Sequence, residues 1–211
     1  MLSLSSKKEH WDQLYGTSSN ELQSWHQSVP AISFRMIEST RIGSHARVLD
    51  VGGGTSILVD CLLDISYRRV GLLDISEVAV AAARRRLGIR DVMVEWYTTD
   101  VTRFISPHPW DIWHDRGLLH FLTDGPDRAA YVHIMRRCLT PGGQVIIAGF
   151  GPSGPQQCSG LPTVRYSAAS LGAQLGHGFS LVESVPESHV TPAGQVQQFL
   201  YNRFVRAHDL F

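Results

Sequence analysis

Short apolar runs rich in β-branched residues alternate with amphipathic stretches along most of this chain. Runs of the first kind are typical of buried strands, and amphipathic stretches are typical of helices on a sheet. Their alternation predicts an α/β fold, a three-layer sandwich in which helices cover both faces of a mostly parallel sheet. The predicted strands are RVLDVG, RVGLLDI, VMVEWYT, PWDIWHD and GQVIIAGF, and the helices between them are LVDCLLDI, EVAVAAARRRLG and DRAAYVHIMRRCL.

The last third of the chain differs in amino-acid composition. GPSGPQQCSGLP is dense in Gly, Pro, Ser and Gln and predicts a loop, after which SAASLGAQLG predicts a short helix. FSLVESV and QVQQFLYNRFV follow as two strand-like runs, and the connection PESHVTPAG is short enough for an antiparallel pair. The sheet is therefore expected to end with an antiparallel strand.

Length and charge narrow the class of protein. A chain of 211 residues with 43% apolar residues suits one domain. Nineteen basic residues balance nineteen acidic ones, so a nucleic-acid partner is disfavoured. The arginine run at 84–86 ends a predicted helix, where it complements the helix dipole.

The cysteines and apolar runs bear on the cell compartment. Cys61, Cys138 and Cys158 are widely spaced and form no C-x-x-C pair, which favours neither a disulfide framework nor a metal site. No run has the length of a membrane span, and the first residues lack the apolar core of a signal peptide. We expect a cytoplasmic protein without a membrane partner.

The segment VLDVGGGTS is a buried strand that breaks into a glycine-rich turn opening a helix. In open α/β sheets ligands bind beyond the carboxyl ends of the strands, where this turn is expected. Gly52, Gly53 and Gly54 allow close approach of a ligand, and the helix beyond presents free amides. A glycine turn alone is weak evidence, because strand-to-helix turns also use glycine for structural reasons.

Acidic residues follow three successive strands. Asp50 is a poor neighbour for a pyrophosphate but a good one for the ammonium of an amino acid. Asp74 stands where a carboxylate accepts hydrogen bonds from ribose hydroxyls, with Ile75 beside it. Asp100 can accept from an adenine amino group, and Val101 can pack on the ring. Each acid alone could be a cap, but the set predicts a cleft for S-adenosylmethionine rather than a dinucleotide.

The order VLDVGGGTS, LLDIS, TTDV, WDIWHDRG and LTPGGQVII is similar to that of class I, Rossmann-like, S-adenosylmethionine-dependent methyltransferases. The resemblance covers nearly the whole chain. It implies a seven-stranded sheet with an antiparallel last strand, S-adenosylmethionine as cofactor and S-adenosylhomocysteine as product. One departure is Ser56, which stands where the family usually has a third glycine.

HWDQLYG, Trp25 and DRGLLHFL are similar, more loosely, to a group that includes thiol and metalloid methyltransferases and some protein lysine methyltransferases. The analogy implies that residues 1–40 form a helical lid over a cofactor-binding domain of residues 41–211. Trp11, Tyr15 and Trp25 would then contact the cofactor. The alternative is that these aromatic side chains only anchor an N-terminal helix.

The segment WDIWHDRGLLHFL is expected beside the sulfonium, where the acceptor binds. We predict Asp115 near the sulfonium and His120, in a following helical turn, as a general base. Alternatively, Asp115 caps that turn and pairs with Arg116. Cys158 and His189, both predicted in loops over the pocket, suggest a soft acceptor such as a thiol or metalloid, although a lone loop cysteine is often inert.

These residues predict an enzyme that methylates a small-molecule acceptor, with a thiol or other soft nucleophile preferred. A protein lysine methyltransferase is the nearest alternative, and a non-catalytic module that binds S-adenosylmethionine is another. A dinucleotide-dependent oxidoreductase is less favoured because of Asp50. No metal is predicted, and the oligomeric state is left open.

Overall fold

A seven-stranded sheet forms the centre of the computed structural model, which describes residues 4–17 and 19–208. Its strands are β1 (Arg47–Val51), β2 (Arg69–Asp74), β3 (Val94–Thr98), β4 (Trp110–Arg116), β5 (Leu139–Phe150), β8 (Phe179–Val190) and β9 (Val196–Arg206), while β6 (Gln157–Cys158) and β7 (Leu161–Pro162) form a separate small pair. The helices are α1 (Leu4–Thr17), α2 (Ala31–Ser39), α3 (Leu58–Asp64), α4 (Glu77–Leu87), α5 (Gly125–Cys138) and α6 (Ala168–Leu175).

The strand order is β3-β2-β1-β4-β5-β9-β8. Strands β1 to β5 pair in parallel, and β9 pairs antiparallel with β5 on one side and with β8 on the other. The last strand of the chain is therefore inserted between two strands that run the opposite way. This arrangement confirms the predicted Rossmann-like sheet with an antiparallel last strand.

Helices bury both faces of the sheet, as predicted. Helices α2, α3 and α4 pack on one face through side chains such as Met36 and Leu62, which meet Val48 and Ile146. On the other face, α5 and α6 contribute Tyr131, Leu171 and their neighbours. Within the described residues, no helix is long and apolar enough to cross a membrane.

The predicted limits of helix α4 are correct, and the residues at its two ends explain them. The Ser76 hydroxyl accepts a hydrogen bond from the backbone N–H of Ala79 at 3.1 Å, and Gly88 ends the helix with a positive φ of 58°. Of the arginine run, Arg84 pairs with Asp91 and Arg86 reaches α3, where it pairs with an aspartate. These ion pairs fit a solvated helix end.

Two predicted loops contain strands, which corrects the sequence prediction. β8 continues to Val190, because it is an edge strand where Pro186 loses no ladder hydrogen bond. His189 therefore lies in a strand, opposite Gln197, and not in a loop. Cys158 also lies in a strand, since β6 pairs with β7 across the segment predicted as an open loop.

The N-terminal helix α1 lies across the carboxyl edge of the sheet. Lys7 pairs with Asp127 at the start of α5 at 2.6 Å. The carboxylate of Asp12 accepts a hydrogen bond from the hydroxyl of Ser76, the N-cap of α4, at 2.6 Å. Helix α1 thus connects the first turns of two helices that stand on opposite faces of the sheet.

Candidate functional site

One cavity of about 380 Å³ opens at the carboxyl ends of β1 to β4, which is within the range of small-molecule sites. Asp50, Asp74 and Asp100 all line it. The three acids that the sequence places at successive strand ends therefore meet at one site. Other lining residues come from the N-terminal segment, the turns after β1, β2 and β3, the end of β4 and the turn after it, the β6–β7 pair and β9: Trp11, Tyr15, Trp25, Gly52, Gly53, Ile75, Val101, Arg116, His120, Phe121, Cys158, Leu161 and Phe199.

The glycine turn after β1 lines the cavity. Gly52 has a φ of 66°, a conformation that favours glycine, and a Cβ there would lie 2.6 Å from Leu118. At Gly53, a Cβ would lie 2.9 Å from Oδ2 of Asp50. The absence of side chains thus lets the turn pack closely against Leu118 and against the Asp50 carboxylate.

Asp50 is buried, with 2% of its surface exposed. Its Oδ1 lies 2.7 Å from Nδ1 of His114, while its Oδ2 has no hydrogen-bond partner among the described residues. A buried carboxylate oxygen without a partner is costly, and its presence indicates that a ligand group or water completes it. The ammonium group of S-adenosylmethionine carries the charge and the N–H donors that this oxygen lacks, so the residues fit that cofactor.

Asp74 is held by backbone amides. Its Oδ1 accepts a hydrogen bond from the N–H of Ser76 at 2.8 Å, and its Oδ2 accepts one from the N–H of Gly54 at 2.9 Å. Burial is the main cause that raises the pKa of Asp74 to about 6, and the charge of Asp50 adds to it, while the two amides act against the rise. Each oxygen keeps a second lone pair, as a carboxylate that binds a ribose diol requires.

Asp100 follows β3 and caps a short 3₁₀ turn. Its Oδ1 accepts hydrogen bonds from the backbone N–H and the hydroxyl of Thr102, each at 2.8 Å. The adjacent Val101 is buried and also lines the cavity, as does Ile75 after β2. Thus the capping interpretation of Asp100 is correct for one oxygen, and the second oxygen is not used by the cap.

An aromatic cluster covers the cavity. Trp11 lies 4.9 Å from Phe121 and 6.0 Å from Trp25, measured between ring centroids, and Tyr15 lies 6.0 Å from Trp25. A Cβ on Gly54 would collide with the hydroxyl of Tyr15. The predicted lid residues therefore do two things at once: they anchor the N-terminal segment and form a wall of the cavity.

Asp115 lies on the other face of β4 because side chains alternate along a strand. It is fully buried, accepts hydrogen bonds from the Tyr131 hydroxyl at 2.7 Å and the Leu118 N–H at 2.9 Å, and is not among the residues that line the cavity. Burial is the main cause that raises its pKa to about 6. Arg116 instead donates hydrogen bonds to the Tyr201 hydroxyl and the Trp25 carbonyl.

His120 lines the cavity from a 3₁₀ turn and stacks on Phe150. The backbone N–H of Phe150 donates to its Nδ1 at 3.4 Å, and its Nε2 has no hydrogen-bond partner among the described residues. Burial lowers the pKa of His120 to about 3, so the ring is neutral and carries its proton on Nε2. In this tautomer Nε2 is a buried hydrogen-bond donor without an acceptor among the described residues.

Of the two residues predicted for a soft acceptor, one reaches the cavity. Cys158 lines it, and its Sγ lies 3.7 Å from the hydroxyl of Ser24. His189 is turned away and donates a hydrogen bond from Nε2 to the Ser24 carbonyl at 2.8 Å. Burial lowers the pKa of His189.

Sequence reasoning missed Phe199, which lines the cavity from β9. The guanidinium of Arg116 stacks on its ring, with Cζ 4.6 Å from the centroid. The sequence does indicate that Phe199 and Tyr201 share one face of a strand, because they are two residues apart. Which face of the sheet this is depends on the position of β9 beside β5, which the sequence does not reveal.

The family comparison agrees with this geometry. Residues 48–143, which include the glycine turn and all three strand-end acids, match the family model described as a methyltransferase domain. Together with the observed fold, this match confirms the resemblance to class I, Rossmann-like methyltransferases, whose cofactor is S-adenosylmethionine. A search of curated proteins finds no match.

Similar solved structures cover almost all of the chain. One, described as "Conversion of a Disulfide Bond into a Thioacetal Group during Echinomycin Biosynthesis", has 20% identity, a TM-score of 0.78, and coverage of 97% of this chain and 94% of that chain. The N-methyltransferase NodS from Bradyrhizobium japonicum WM9 in complex with S-adenosylhomocysteine has 18% identity, a TM-score of 0.68, and coverage of 93% and 98%. The 1,6-didemethyltoxoflavin-N1-methyltransferase from Burkholderia thailandensis has 19% identity, a TM-score of 0.68, and coverage of 96% of this chain and 85% of that chain.

Proposed function

We propose that this protein binds S-adenosylmethionine in the cavity and transfers its methyl group to a small-molecule acceptor, with a thiol or other soft nucleophile preferred. The observation that carries the proposal is the meeting of three strand-end carboxylates at one cavity, where Oδ2 of Asp50 has no partner among the described residues. S-adenosylmethionine supplies an electrophilic methyl group on a sulfonium. Asp50 binds the ammonium, Asp74 the ribose hydroxyls and Asp100 the adenine amino group.

The protein's part in the transfer is to align the acceptor and exclude water. The N-terminal segment, residues 1–40, is the proposed lid, and its aromatic residues Trp11, Tyr15 and Trp25 cover the site. A roof of this kind suits a small acceptor better than a lysine on a protein surface, which needs an open channel. This favours the small-molecule reading over the protein lysine methyltransferase.

A soft nucleophile is favoured because the predicted bases are weak or remote. With a pKa of about 3, His120 removes a proton poorly at neutral pH, and Asp115 does not line the cavity. An acceptor that arrives as a thiolate or a neutral amine needs no base. The similar structures point the same way, since one concerns a disulfide converted into a thioacetal and another is an N1-methyltransferase.

Binding and turnover measurements test this proposal. We expect calorimetry to show binding of S-adenosylmethionine and S-adenosylhomocysteine but not of NAD, because a pyrophosphate would face the Asp50 carboxylate. We also expect S-adenosylhomocysteine to form faster with thiols, selenols or arsenite than with phenols or a lysine peptide. Binding without turnover on any acceptor would favour a non-catalytic module, and NAD binding alone would contradict the assignment of the acids.

Replacing Cys158 with serine tests the acceptor end. Cys158→Ser is expected to reduce transfer to a thiol or arsenite about tenfold while leaving the affinity for S-adenosylhomocysteine unchanged. The matched control is Cys61→Ser, since Cys61 is partly exposed in α3 and does not line the cavity. Full activity of Cys158→Ser on these acceptors would remove the cysteine from the mechanism.

A further inference from the structure

A chain of buried hydrogen bonds leads from Asp50 into the protein. Its Oδ1 lies 2.7 Å from Nδ1 of His114, and the other ring nitrogen, Nε2, lies 2.9 Å from the hydroxyl of Ser33 in α2. His114 and Ser33 are buried. Both nitrogens of His114 are thus occupied by protein groups, although its ring lines the cavity.

Arg116, two residues after His114 on the same face of β4, is held separately. Its Nε donates a hydrogen bond to the hydroxyl of Tyr201 at 2.7 Å. The strand register explains this contact, because Arg116 lies beside Ala148 of β5 and Ala148 lies beside Tyr201. The small side chain of Ala148 lets Arg116 reach across β5 to Tyr201.

Elementary donor and acceptor rules give the chain one direction. An ionised carboxylate only accepts, so Nδ1 of His114 donates to Asp50, and in the neutral ring Nε2 then accepts from Ser33. Both protons point toward Asp50, so the two bonds strengthen one another.

The bond from His114 matters because the torsion about the Cβ–Cγ bond of an aspartate, which orients its carboxylate, is otherwise broad. The bond from His114 fixes which oxygen of Asp50 faces the protein and which faces the glycine turn. A Cβ on Gly53 would lie 2.9 Å from the second oxygen, Oδ2. With Oδ1 held by His114, Oδ2 is the oxygen that remains for a ligand.

We propose that His114 and Ser33 are positioning residues for the cofactor: they hold Asp50 so that Oδ2 accepts a hydrogen bond from the ammonium group of S-adenosylmethionine, in a chain that begins at Ser33. This inference rests on the proposed function. Neither residue needs to bond to the cofactor itself, and both act through Asp50.

The test compares two ligands by calorimetry. S-adenosylhomocysteine has the ammonium group, whereas 5′-deoxy-5′-methylthioadenosine lacks the whole amino acid arm. His114→Phe is expected to weaken binding of S-adenosylhomocysteine about tenfold to a hundredfold, as for loss of a hydrogen bond to a charged group, and to leave the second ligand within about twofold. His114→Asn should recover most of the loss, because its amide can donate from the position of Nδ1.

Ser33→Ala cuts the chain one step further away and decides the question if His114→Phe does not fold. We expect a loss of about threefold for S-adenosylhomocysteine only. The control is Ser39→Ala, since Ser39 lies on the same helix and contacts Met36 and Glu183 instead. Equal losses for both ligands, or none, in the His114 and Ser33 variants would overturn the inference. A wild-type protein that binds neither ligand would overturn the proposed function itself.

Discussion

Asp50→Asn is expected to weaken the binding of S-adenosylmethionine by about a hundredfold to a thousandfold, the effect of removing one partner of a buried charge pair. The substitution keeps the shape of the side chain, and its amide oxygen can still accept from His114. At the position of Oδ2, however, it places an NH₂ group that repels the ammonium of the cofactor. The measurement is calorimetry with S-adenosylmethionine and S-adenosylhomocysteine.

Two controls separate this effect from unfolding. The thermal midpoint of Asp50→Asn should not fall, because a buried carboxylate oxygen without a partner is replaced by a neutral group. Asp100→Asn keeps the capping oxygen that accepts from Thr102 and should weaken binding far less. If Asp50→Asn bound the cofactor as tightly as the wild type, the ammonium would lie elsewhere and the cleft would need a different assignment.

The acids at the strand ends could be predicted because each belongs to a local pattern. Asp50 precedes the glycine turn, Asp74 ends an apolar run, and parallel strands bring their carboxyl ends to one edge of a sheet. The sequence therefore sufficed to place these residues together. It also sufficed for helix α4, since Ser76 and Gly88 mark its limits chemically.

Residues that depend on the face of a strand were harder to assign. His114, Asp115 and Arg116 follow one another in β4, so the first and third share a face and the second points away. The prediction treated all of them as neighbours of the acceptor. Alternation was readable in the sequence, but which face held the cavity depended on the position of α2 and of the N-terminal segment.

The link between Arg116 and Tyr201 was beyond the sequence altogether. It depends on the position of β9 between β5 and β8 in the sheet. The short connection predicts that β8 and β9 pair, but it does not say which of the two lies beside β5. His189 illustrates the same limit, since proline and glycine nearby suggested a loop where an edge strand continues. There the strand pairing of His189 with Gln197 outweighs the local preference of proline and glycine for turns.

The position of Asp115 leads to the opposite expectation from Asp50. Asp115→Ala is expected to lower the free energy of unfolding by about 3 kcal/mol, because the Tyr131 hydroxyl and the Leu118 and Leu119 amides lose their buried acceptor. For a chain of this length, that corresponds to a fall in thermal midpoint of about 10 °C. Well below this midpoint, the affinity for S-adenosylmethionine should remain within about threefold of the wild type.

A double-mutant cycle with Tyr131→Phe shows whether the loss belongs to this hydrogen-bond cluster. The Tyr131 hydroxyl donates to Asp115 and accepts from Nε1 of Trp113 at 2.9 Å, so its removal should also destabilise the protein. Because both variants break the same bond, the double variant should lose less than the sum of the two single losses. Additive losses would show that Asp115 is stabilised by other contacts. A large loss of cofactor affinity with unchanged stability would instead assign Asp115 a part in cofactor binding.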